Sequence, residues 1–374
     1  MNSSVPDGQR TISPTAEQEL LNRVRAGDQD AFGRLVEPYR TELHAHCYRM
    51  LASVQDAEDA LQETLVRAWR GLGRFEGRSS LRSWLYTIAT NTSLNLISRR
   101  PKRVLPIDYG PAADPHDGPG MPVIESVWVD PYPDEQLGLE DVYAAPDAQY
   151  ELRESVELAF VAALQHLPAN QRAALILKEV LGFSAAEIAA ALETSVASVN
   201  SALQRARKTI DDKLPSHSQQ QTLRALGDQQ LKALVERYMD AMQRGDVETV
   251  VGMLAEDAAW SMPPLASWYS GSEVPNFLRV GPLSGLYRWR HVAGHASGQP
   301  AVAAYTWHEE EQAYLPFALD VLTLRGDRIE QVTAFIARSP EVSDPQVFAT
   351  WPDAPPDPER VQSIFLRLGF PDRI

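Results

Sequence analysis

A proline- and acid-rich stretch near the middle of the chain is the feature that most limits its fold. Residues 106–151 contain eleven acidic residues and no lysine or arginine, and the segments PAADPHDGPGMP and DPYPDEQ within them favour neither helix nor strand. A single continuous core cannot run through such a segment. It predicts a linker with little regular structure, and 374 residues are enough for two or three domains around it.

Electrostatic charge is distributed unevenly beside this linker. The formal net charge of −15 predicts a chain that other polyanions repel. Residues 61–103, however, contain nine Lys/Arg and two acidic residues. The local charge therefore allows a nucleic-acid site that the total charge would exclude.

Composition argues against several other classes of protein. No segment approaches the roughly 18 apolar residues of a membrane helix, and the polar N-terminus lacks the apolar core of a secretory signal. The single cysteine, Cys47, excludes an internal disulfide framework and fits a reducing cytosol. We therefore expect a cytoplasmic protein that does not enter the membrane.

Helical periodicity dominates the residues before the linker. Apolar residues recur at helical spacing over 32–51, and a second helix is predicted over 56–69 with Asp56 as its cap. A third helix follows Ser79-Ser80 and ends at Pro101. Trp84 lies on the apolar stripe of this third helix, whereas Tyr86 lies off the stripe and is free to contact a ligand.

After the linker, the pattern is that of a helix-turn-helix. Pro168 suits the start of a helix and Gly182 its end, Ser184 can cap the next helix, and Thr194-Ser195 form the turn. The last helix is predicted to bury Val196, Val199, Leu203, Ala206 and Ile210. Polar residues followed by cations occupy its exposed face, as a DNA recognition helix requires. These residues are Ser198, Asn200, Ser201, Gln204, Arg205, Arg207 and Lys208.

The C-terminal part changes from helix to strand. Two amphipathic helices surround Arg244-Gly245-Asp246, and strand-like runs then cover 301–308, 314–326 and 328–337. Gly326-Asp327 is a hairpin signal between the last two runs. The order predicts an α+β domain.

Five sequence blocks in order resemble the sigma factors of bacterial RNA polymerase, of the small extracytoplasmic-function type. The blocks are DAFGRLVEPYR, DAEDALQETLVRAW, SSLRSWLYTIATNTSLNLISRRPKR, LPANQRAALILKEVLGFSAAEIAAAL and VASVNSALQRAR. GDVETVVGMLAEDAAWSMPP and LTLRGDRIEQVTAF are similar to SnoaL-like domains, which have a cystatin-like, cone-shaped α+β fold. The resemblance implies a multidomain chain with two all-α sigma domains and a C-terminal SnoaL-like domain. The implied ranges are sigma region 2 over 15–104, an acidic linker over 105–150, sigma region 4 over 151–214, the SnoaL-like domain over 222–345 and a C-terminal tail over 346–374.

The resemblance also implies partners and contact residues. Core RNA polymerase would be bound through its β′ clamp helices and β flap, with the clamp contacts at Asp56, Glu58, Asp59, Gln62 and Glu63. The −10 promoter element would be contacted by Tyr86, Asn91, Ser93, Asn95, Arg99, Arg100, Lys102 and Arg103. The recognition helix would read the −35 element. Asn200 and Ala202 stand where the family often has basic residues, so we expect weak DNA binding by the isolated domain.

The C-terminal domain admits three interpretations: a regulator that contacts the sigma domains or the linker in cis, an enzyme, or a receptor for a small ligand. The residues considered for a ligand cavity are Trp260, Trp268, His291, Trp307 and Asp320. A solvent-facing Asp320 and aromatic residues that simply fill the core explain the pattern equally well. No cofactor or metal is expected, and His44, His46 and Cys47 lack the spacing of a zinc site. We expect a sigma factor rather than an enzyme, with a SnoaL-like enzyme fused to a DNA-binding regulator as the alternative.

The acidic linker has two explanations. Its carboxylates could compete with DNA for the neighbouring arginines while the protein is free, with Trp128, Tyr132 and Leu137 as apolar anchors. Alternatively, it is a solvated acidic tether.

Overall fold

The computed structural model describes residues 13–118, 120–123, 127–137, 152–215, 217–341 and 354–374. The chain forms two compact units. The first takes its described residues from Met1–Lys102 and Glu135–Leu214, and the second from Arg103–Asp134 and Pro215–Ile374. Much of the predicted linker therefore belongs to the same unit as the C-terminal residues.

The first unit is built from helices. Before the linker these are α1 (Pro14–Arg25), α2 (Gln29–Leu51), α3 (Val54–Gly71) and α4 (Leu81–Ile97), with a short 3-10 turn at Leu72–Arg74. After it come α5 (Leu158–Gln165), α6 (Ala169–Leu175) with a π-helical turn at Ile176–Val180, α7 (Ala185–Ala191) and α8 (Val196–Asp211). The two predicted all-α parts are confirmed.

Local signals determine where α3 and α4 begin and end. The Ser53 side chain accepts a hydrogen bond from the Asp56 backbone N–H at 3.3 Å, so α3 begins at Val54. The prediction that Asp56 caps this helix is therefore wrong, and Asp56 lies inside the first turn. Helix α4 ends at Ile97, before Pro101, because a proline cannot continue the helix and also restricts the residue before it.

The helix-turn-helix forms largely as its sequence predicts. Ser184 and Glu187 make a capping box at the start of α7, and Ser195 caps α8. Val196 was expected to be buried, but 44% of it is exposed because it lies in the first turn of α8, at the helix end. The rest of the predicted stripe is buried, at Val199, Leu203, Ala206 and Ile210.

The second unit is an α+β domain around one mixed sheet. Its helices are α9 (Gln219–Leu226), α10 (Asp228–Arg244), α11 (Val247–Met253) and α12 (Glu273–Val280). Its strands are β1 (Leu254–Ser261), β2 (Trp268–Ser270), β3 (Trp289–Ala296), β4 (Gln299–His308), β5 (Ala313–Arg325) and β6 (Arg328–Ile336). Their order is β2-β1-β6-β5-β4-β3; β1 and β6 run parallel, and the other neighbours are antiparallel. Gly326, with φ +62°, turns the predicted hairpin between β5 and β6.

The two faces of this sheet are covered by different parts of the chain. One face packs on the buried side of α10, through residues such as Val302 and Ala334. On the other face the Phe370 ring lies against Gly294, and the Tyr305 hydroxyl donates to the Pro371 carbonyl at 2.9 Å. Residues 354–374, expected as a tail, are therefore part of the domain. They include short helical turns at Pro358–Arg360, Val361–Phe365 and Leu366–Leu368.

The described linker residues up to Asp134 are docked on this domain. The described part of the linker has only short helical turns, at Pro106–Tyr109, Pro115–Asp117 and, beyond the unit boundary, Asp134–Leu137. Trp128 and Tyr132 are buried, and the Trp128 indole N–H donates to the Pro264 carbonyl at 3.1 Å. Tyr132 exchanges hydrogen bonds with Ser297. The described linker residues have little regular structure, whereas residues 119, 124–126 and 138–151 lie outside the described ranges. For the described residues the solvated tether is wrong, because these aromatic side chains anchor the segment.

The described ranges lack both a membrane-spanning helix and a metal-binding group of side chains. Within them, none of the helices combines the length and apolar character needed to cross a membrane. Within the same ranges, His, Cys, Asp and Glu side chains do not gather in groups of three or more suited to a metal ion.

Candidate functional site

The predicted −35 contacts all lie on the surface of α8. Every member of the set is exposed: Ser198, Asn200, Ser201, Gln204, Arg205, Arg207 and Lys208. Arg207 forms an ion pair with Glu179 at 2.6 Å, with both side chains about half exposed. The polar half of the helix thus comes first and the cationic half follows, an arrangement that suits base edges and phosphates respectively.

The predicted −10 contacts are divided between surface and interior. Asn95, Arg99, Arg100 and Lys102 are exposed, and Asn91 is half-buried. The structure does not place the remaining three, Tyr86, Ser93 and Arg103, at the surface. Ser93 is fully buried, and burial also raises the pKa of the Cys47 thiol to about 12. The Arg103 guanidinium donates to the Trp128 carbonyl at 3.0 Å.

Tyr86 is the largest departure from the sequence analysis, which placed it off the buried stripe. The residue is 1% exposed, and its hydroxyl donates to Glu42 Oε2 at 2.9 Å. Its ring contacts those of His46 and Phe183 edge to face, with centroids 5.2 and 5.5 Å away. Burial raises the pKa of Tyr86 well above its ordinary value, and the nearby negative charge of Glu42 raises it further by a smaller amount. Trp84, expected on the stripe, is half-buried against Phe75.

The predicted polymerase-binding surface lies on α3. Asp59, Gln62 and Glu63 are exposed and Glu58 is half-buried, whereas only 3% of Asp56 is exposed. Asp56 forms an ion pair with Arg100, which also lies 3.8 Å from Asp59. A predicted polymerase contact and a predicted DNA contact are therefore joined directly, because the end of α4 packs beside the start of α3.

Strand alternation divides the five residues considered for a ligand cavity. Trp260, His291 and Asp320 lie on the sheet face that packs on α10, since successive partners in the register share a face. Trp268 pairs with Ser261, which is the neighbour of Trp260 in β1. Trp307 is separated from Val302, the partner of Asp320, by five positions, and side chains an odd number of positions apart point to opposite faces. Both of these tryptophans thus lie on the opposite face. The structure does not bring the five residues together.

Two polar side chains remain inside that face. Asp320 is 3% exposed, so the solvent-facing interpretation is wrong, and Tyr238 of α10 donates to its Oδ2 at 2.9 Å. Burial raises the pKa of Asp320 to about 7, and the Tyr238 hydrogen bond opposes that shift. Burial lowers the pKa of His291 to about 4, and neither ring nitrogen has a partner among the described residues.

Sequence reasoning missed Tyr238 as the partner of Asp320. A tyrosine on the buried side of an amphipathic helix is a weak signal, because it is equally consistent with apolar packing. It also missed two buried arginines of the first unit, Arg49 and Arg172, which are 1% and 5% exposed. Arg172 donates to the Met50 and Gln165 carbonyls, and burial lowers its pKa to about 10.

Comparison with known proteins finds similarity along most of the chain. The family model of Sigma-70 region 2 matches residues 35–103, and that of Sigma-70, region 4 matches residues 157–210. The chain is 42% identical over 315 residues to the ECF RNA polymerase sigma factor SigG of Mycobacterium tuberculosis, an alignment that covers 83% of this chain and 82% of SigG. It is 32% identical over 203 residues to the RNA polymerase sigma-H factor of Pseudomonas aeruginosa, over 54% of this chain and 96% of that protein.

Solved structures are similar at lower identity. The crystal structure of the Mycobacterium tuberculosis extracytoplasmic function sigma factor SigJ aligns with a TM-score of 0.49 and 21% identity, over 83% of this chain and 95% of SigJ. A SnoaL-like protein from Burkholderia thailandensis aligns with a TM-score of 0.24 and 17% identity, over 30% of this chain and 98% of that one.

Proposed function

Because the chain belongs to the extracytoplasmic-function family of RNA polymerase sigma factors, we propose that it binds core RNA polymerase and directs promoter-specific initiation in the cytoplasm. The observation that carries this proposal is the exposed polar and cationic face of α8, held on a capped helix-turn-helix. It supports a role for α8 at the −35 element, with short side chains near bases and Arg205 and Lys208 near phosphates.

The exposed acidic face of α3 is proposed as the polymerase contact. Asp59, Gln62 and Glu63 present carboxylates and an amide to a basic partner, such as the β′ clamp helices. The exposed cations at the end of α4, Arg99 and Lys102, would then lie at the −10 backbone. The β flap is proposed as the partner of the region 4 helices.

The C-terminal α+β domain is proposed to regulate the sigma factor in cis by holding the linker. The segment that joins the two promoter-binding regions is anchored on this domain by Trp128 and Tyr132. Two linker carboxylates also face this unit, because Asp134 accepts from the Gly298 N–H at 2.7 Å and Asp130 interacts with the charge of Arg360. In a sigma factor the linker enters a polymerase channel, so this docking must be released for full activity.

A second candidate role for this domain is the binding of a small ligand. It is favoured by His291, whose two ring nitrogens are buried without a described partner, on the same sheet face as the Asp320 carboxyl. Unpaired buried polar groups cost free energy that a ligand could recover. Calorimetric screening of small molecules with the full-length protein and with its His291→Leu variant would test this role, because a ligand that uses His291 should bind the parent and not the variant.

Run-off transcription with purified core polymerase tests the proposed function. Full-length protein is expected to bind core and to initiate at a discrete site. Arg205→Ala should weaken initiation, whereas Lys232→Ala, a matched change of an exposed cation in the C-terminal domain, should not. A protein that does not bind core would overturn the proposal. The same assay with a chain shortened near residue 215 should show higher activity if the C-terminal domain restrains the linker.

A further inference from the structure

Arg100 lies just beyond the end of α4, within the run of cations expected at the −10 element. The helix ends at Ile97, and the Arg99 N–H donates to the Leu96 carbonyl at 3.0 Å where the chain leaves it. The side chain of Arg100 is 40% exposed and pairs with Asp56 in the first turn of α3. Its guanidinium is therefore directed at a neighbouring helix as well as at solvent.

This guanidinium joins two carboxylates of α3. Asp56 and Asp59 are three positions apart, so their side chains lie on the same side of the helix. Nη1 of Arg100 pairs with Asp56 Oδ1, and Nη2 lies 3.8 Å from Asp59 Oδ2. The Asp56 side chain is 4% exposed and that of Asp59 is 49% exposed. Arg100 therefore connects a buried carboxylate to one at the surface.

The charges around Arg100 are unfavourable for a phosphate. With all three groups ionised, Asp56, Asp59 and Arg100 carry a net charge of −1. A phosphate at the guanidinium would also be close to two carboxylates, and their repulsion would offset the attraction of a single cation. Arg99, by contrast, is exposed and forms an ion pair with none of the described residues. Arg99 is therefore better suited to a phosphate than Arg100.

The same charges suit a cationic partner at Asp59. Asp56 balances the charge of Arg100, so the excess negative charge of the cluster remains at its exposed member, Asp59. Arg100 lies beside one oxygen of that carboxylate, and Gln55 Nε2 donates to the other at 3.5 Å. A side chain that is ordered before binding loses less conformational entropy when it contacts a partner. The cluster thus presents an ordered negative charge on the exposed side of α3.

We infer that Arg100 is a positioning residue of the polymerase-binding surface rather than a promoter contact, and that Asp56 is its buried counter-charge. Arg100 orders the Asp59 carboxylate for a cation of core polymerase, while Asp56 keeps Arg100 from cancelling the charge of Asp59. The inference rests on the proposed sigma function, since it takes Asp59 to contact core polymerase. Arg99 and Lys102 remain the proposed phosphate contacts at the end of α4.

Binding of the full-length protein to fluorescently labelled core polymerase is the first test. Arg100→Ala removes a cation from a surface that binds cations, so charge alone would leave the affinity unchanged or raise it. Loss of the order at Asp59 should instead weaken binding by about 3-fold to 10-fold. Arg34→Ala, which removes an exposed cation from α2, is the matched control and should not weaken binding. Equal core affinities of the parent and Arg100→Ala would overturn the inference.

A double-mutant cycle separates positioning from a general loss of structure. In an Asp59→Asn background, Arg100→Ala should cause less than about a 2-fold further loss of core affinity, because the group that Arg100 positions is already gone. The same loss in both backgrounds would mean that Arg100 only supports the fold, and it would overturn the inference. Asp56→Asn leaves the charge of Arg100 uncompensated and should also weaken core binding; unchanged binding would overturn the counter-charge role.

The salt dependence of DNA binding is the second readout. Holoenzyme formed with saturating core is titrated with a fluorescent single-stranded DNA of mixed sequence, about 20 nucleotides long. Arg100→Ala should leave the slope of log affinity against log salt unchanged, whereas loss of a phosphate contact in Arg99→Ala should reduce its magnitude by about 0.7. A reduced slope in Arg100→Ala would overturn the inference. A parent that does not bind core contradicts the proposed sigma function itself, whereas all the other outcomes concern a parent that binds.

Discussion

Replacing the buried Asp320 carboxyl should stabilise the second unit by an amount that depends on pH. The pKa of Asp320 is about 7 in the folded protein and 3.8 for the free side chain. Between these values the folded protein holds a proton that the unfolded chain has lost. Its stability therefore falls as pH rises through this range, by about 1.36 kcal/mol per pH unit. Asp320→Asn removes that loss and leaves an oxygen that can accept from Tyr238.

The increase in the free energy of unfolding that Asp320→Asn produces should accordingly grow by about 2.3 kcal/mol between pH 5 and pH 7, and level off at higher pH. His291, with a folded pKa of about 4 against 6.5, has the opposite effect between these values, since the unfolded chain then holds the extra proton. Its effect is the same in both proteins and cancels in the difference. Hydrogen exchange of β5 amides in urea measures the free energy of unfolding of this unit in the full-length chain.

Two matched variants make this test specific. Asp327→Asn changes an exposed carboxylate at the β5–β6 turn and should give no gain at any of these pH values. Tyr238→Phe removes the hydrogen bond that lowers the pKa of Asp320, so the loss of stability should extend to higher pH. A gain from Asp320→Asn that is the same at pH 5 and pH 7 would refute a protonated Asp320.

Three further predictions concern the helical regions and the linker. Arg205→Ala should lower the salt dependence of promoter binding by about one counterion, measured as the slope of log affinity against log salt; an unchanged slope would exclude a phosphate contact. Trp128→Ala should weaken linker docking and raise run-off transcription above that of Trp128→Phe, which keeps a ring at that position; equal activities would argue against restraint through the linker. Arg100→Ala should lower the urea stability of the first unit by about 1 kcal/mol, because Asp56 loses a partly exposed partner, and Arg99→Ala is the control.

Much of the helical architecture was predictable from the sequence. The helix ends of the helix-turn-helix are set by Ser184, Ser195 and Gly182 through local hydrogen bonds and backbone conformation, which involve residues only a few positions apart. The exposed face of α8 followed from its periodicity for the same reason. The Gly326 turn between β5 and β6 is equally local.

Positions that depend on distant partners were not predictable in this way. Tyr86 was assigned to the surface because the periodicity of α4 does not include Phe183, which lies 97 positions later in the chain. Asp320 became a buried carboxyl because Tyr238, 82 positions earlier, donates to it from the helix that packs on the sheet. Neither partner is visible in the neighbouring residues.

The sequence by itself therefore determined the helices, the hairpin, the acidic linker and the exposed polar face of α8, since each depends on local propensity, capping or charge. Only the tertiary structure decided that the linker docks through Trp128 and Tyr132, and that region 4 covers the start of α4. The physical reason is that burial and hydrogen bonding are properties of surfaces brought together by folding, and a one-dimensional pattern states which surfaces exist but not which of them meet.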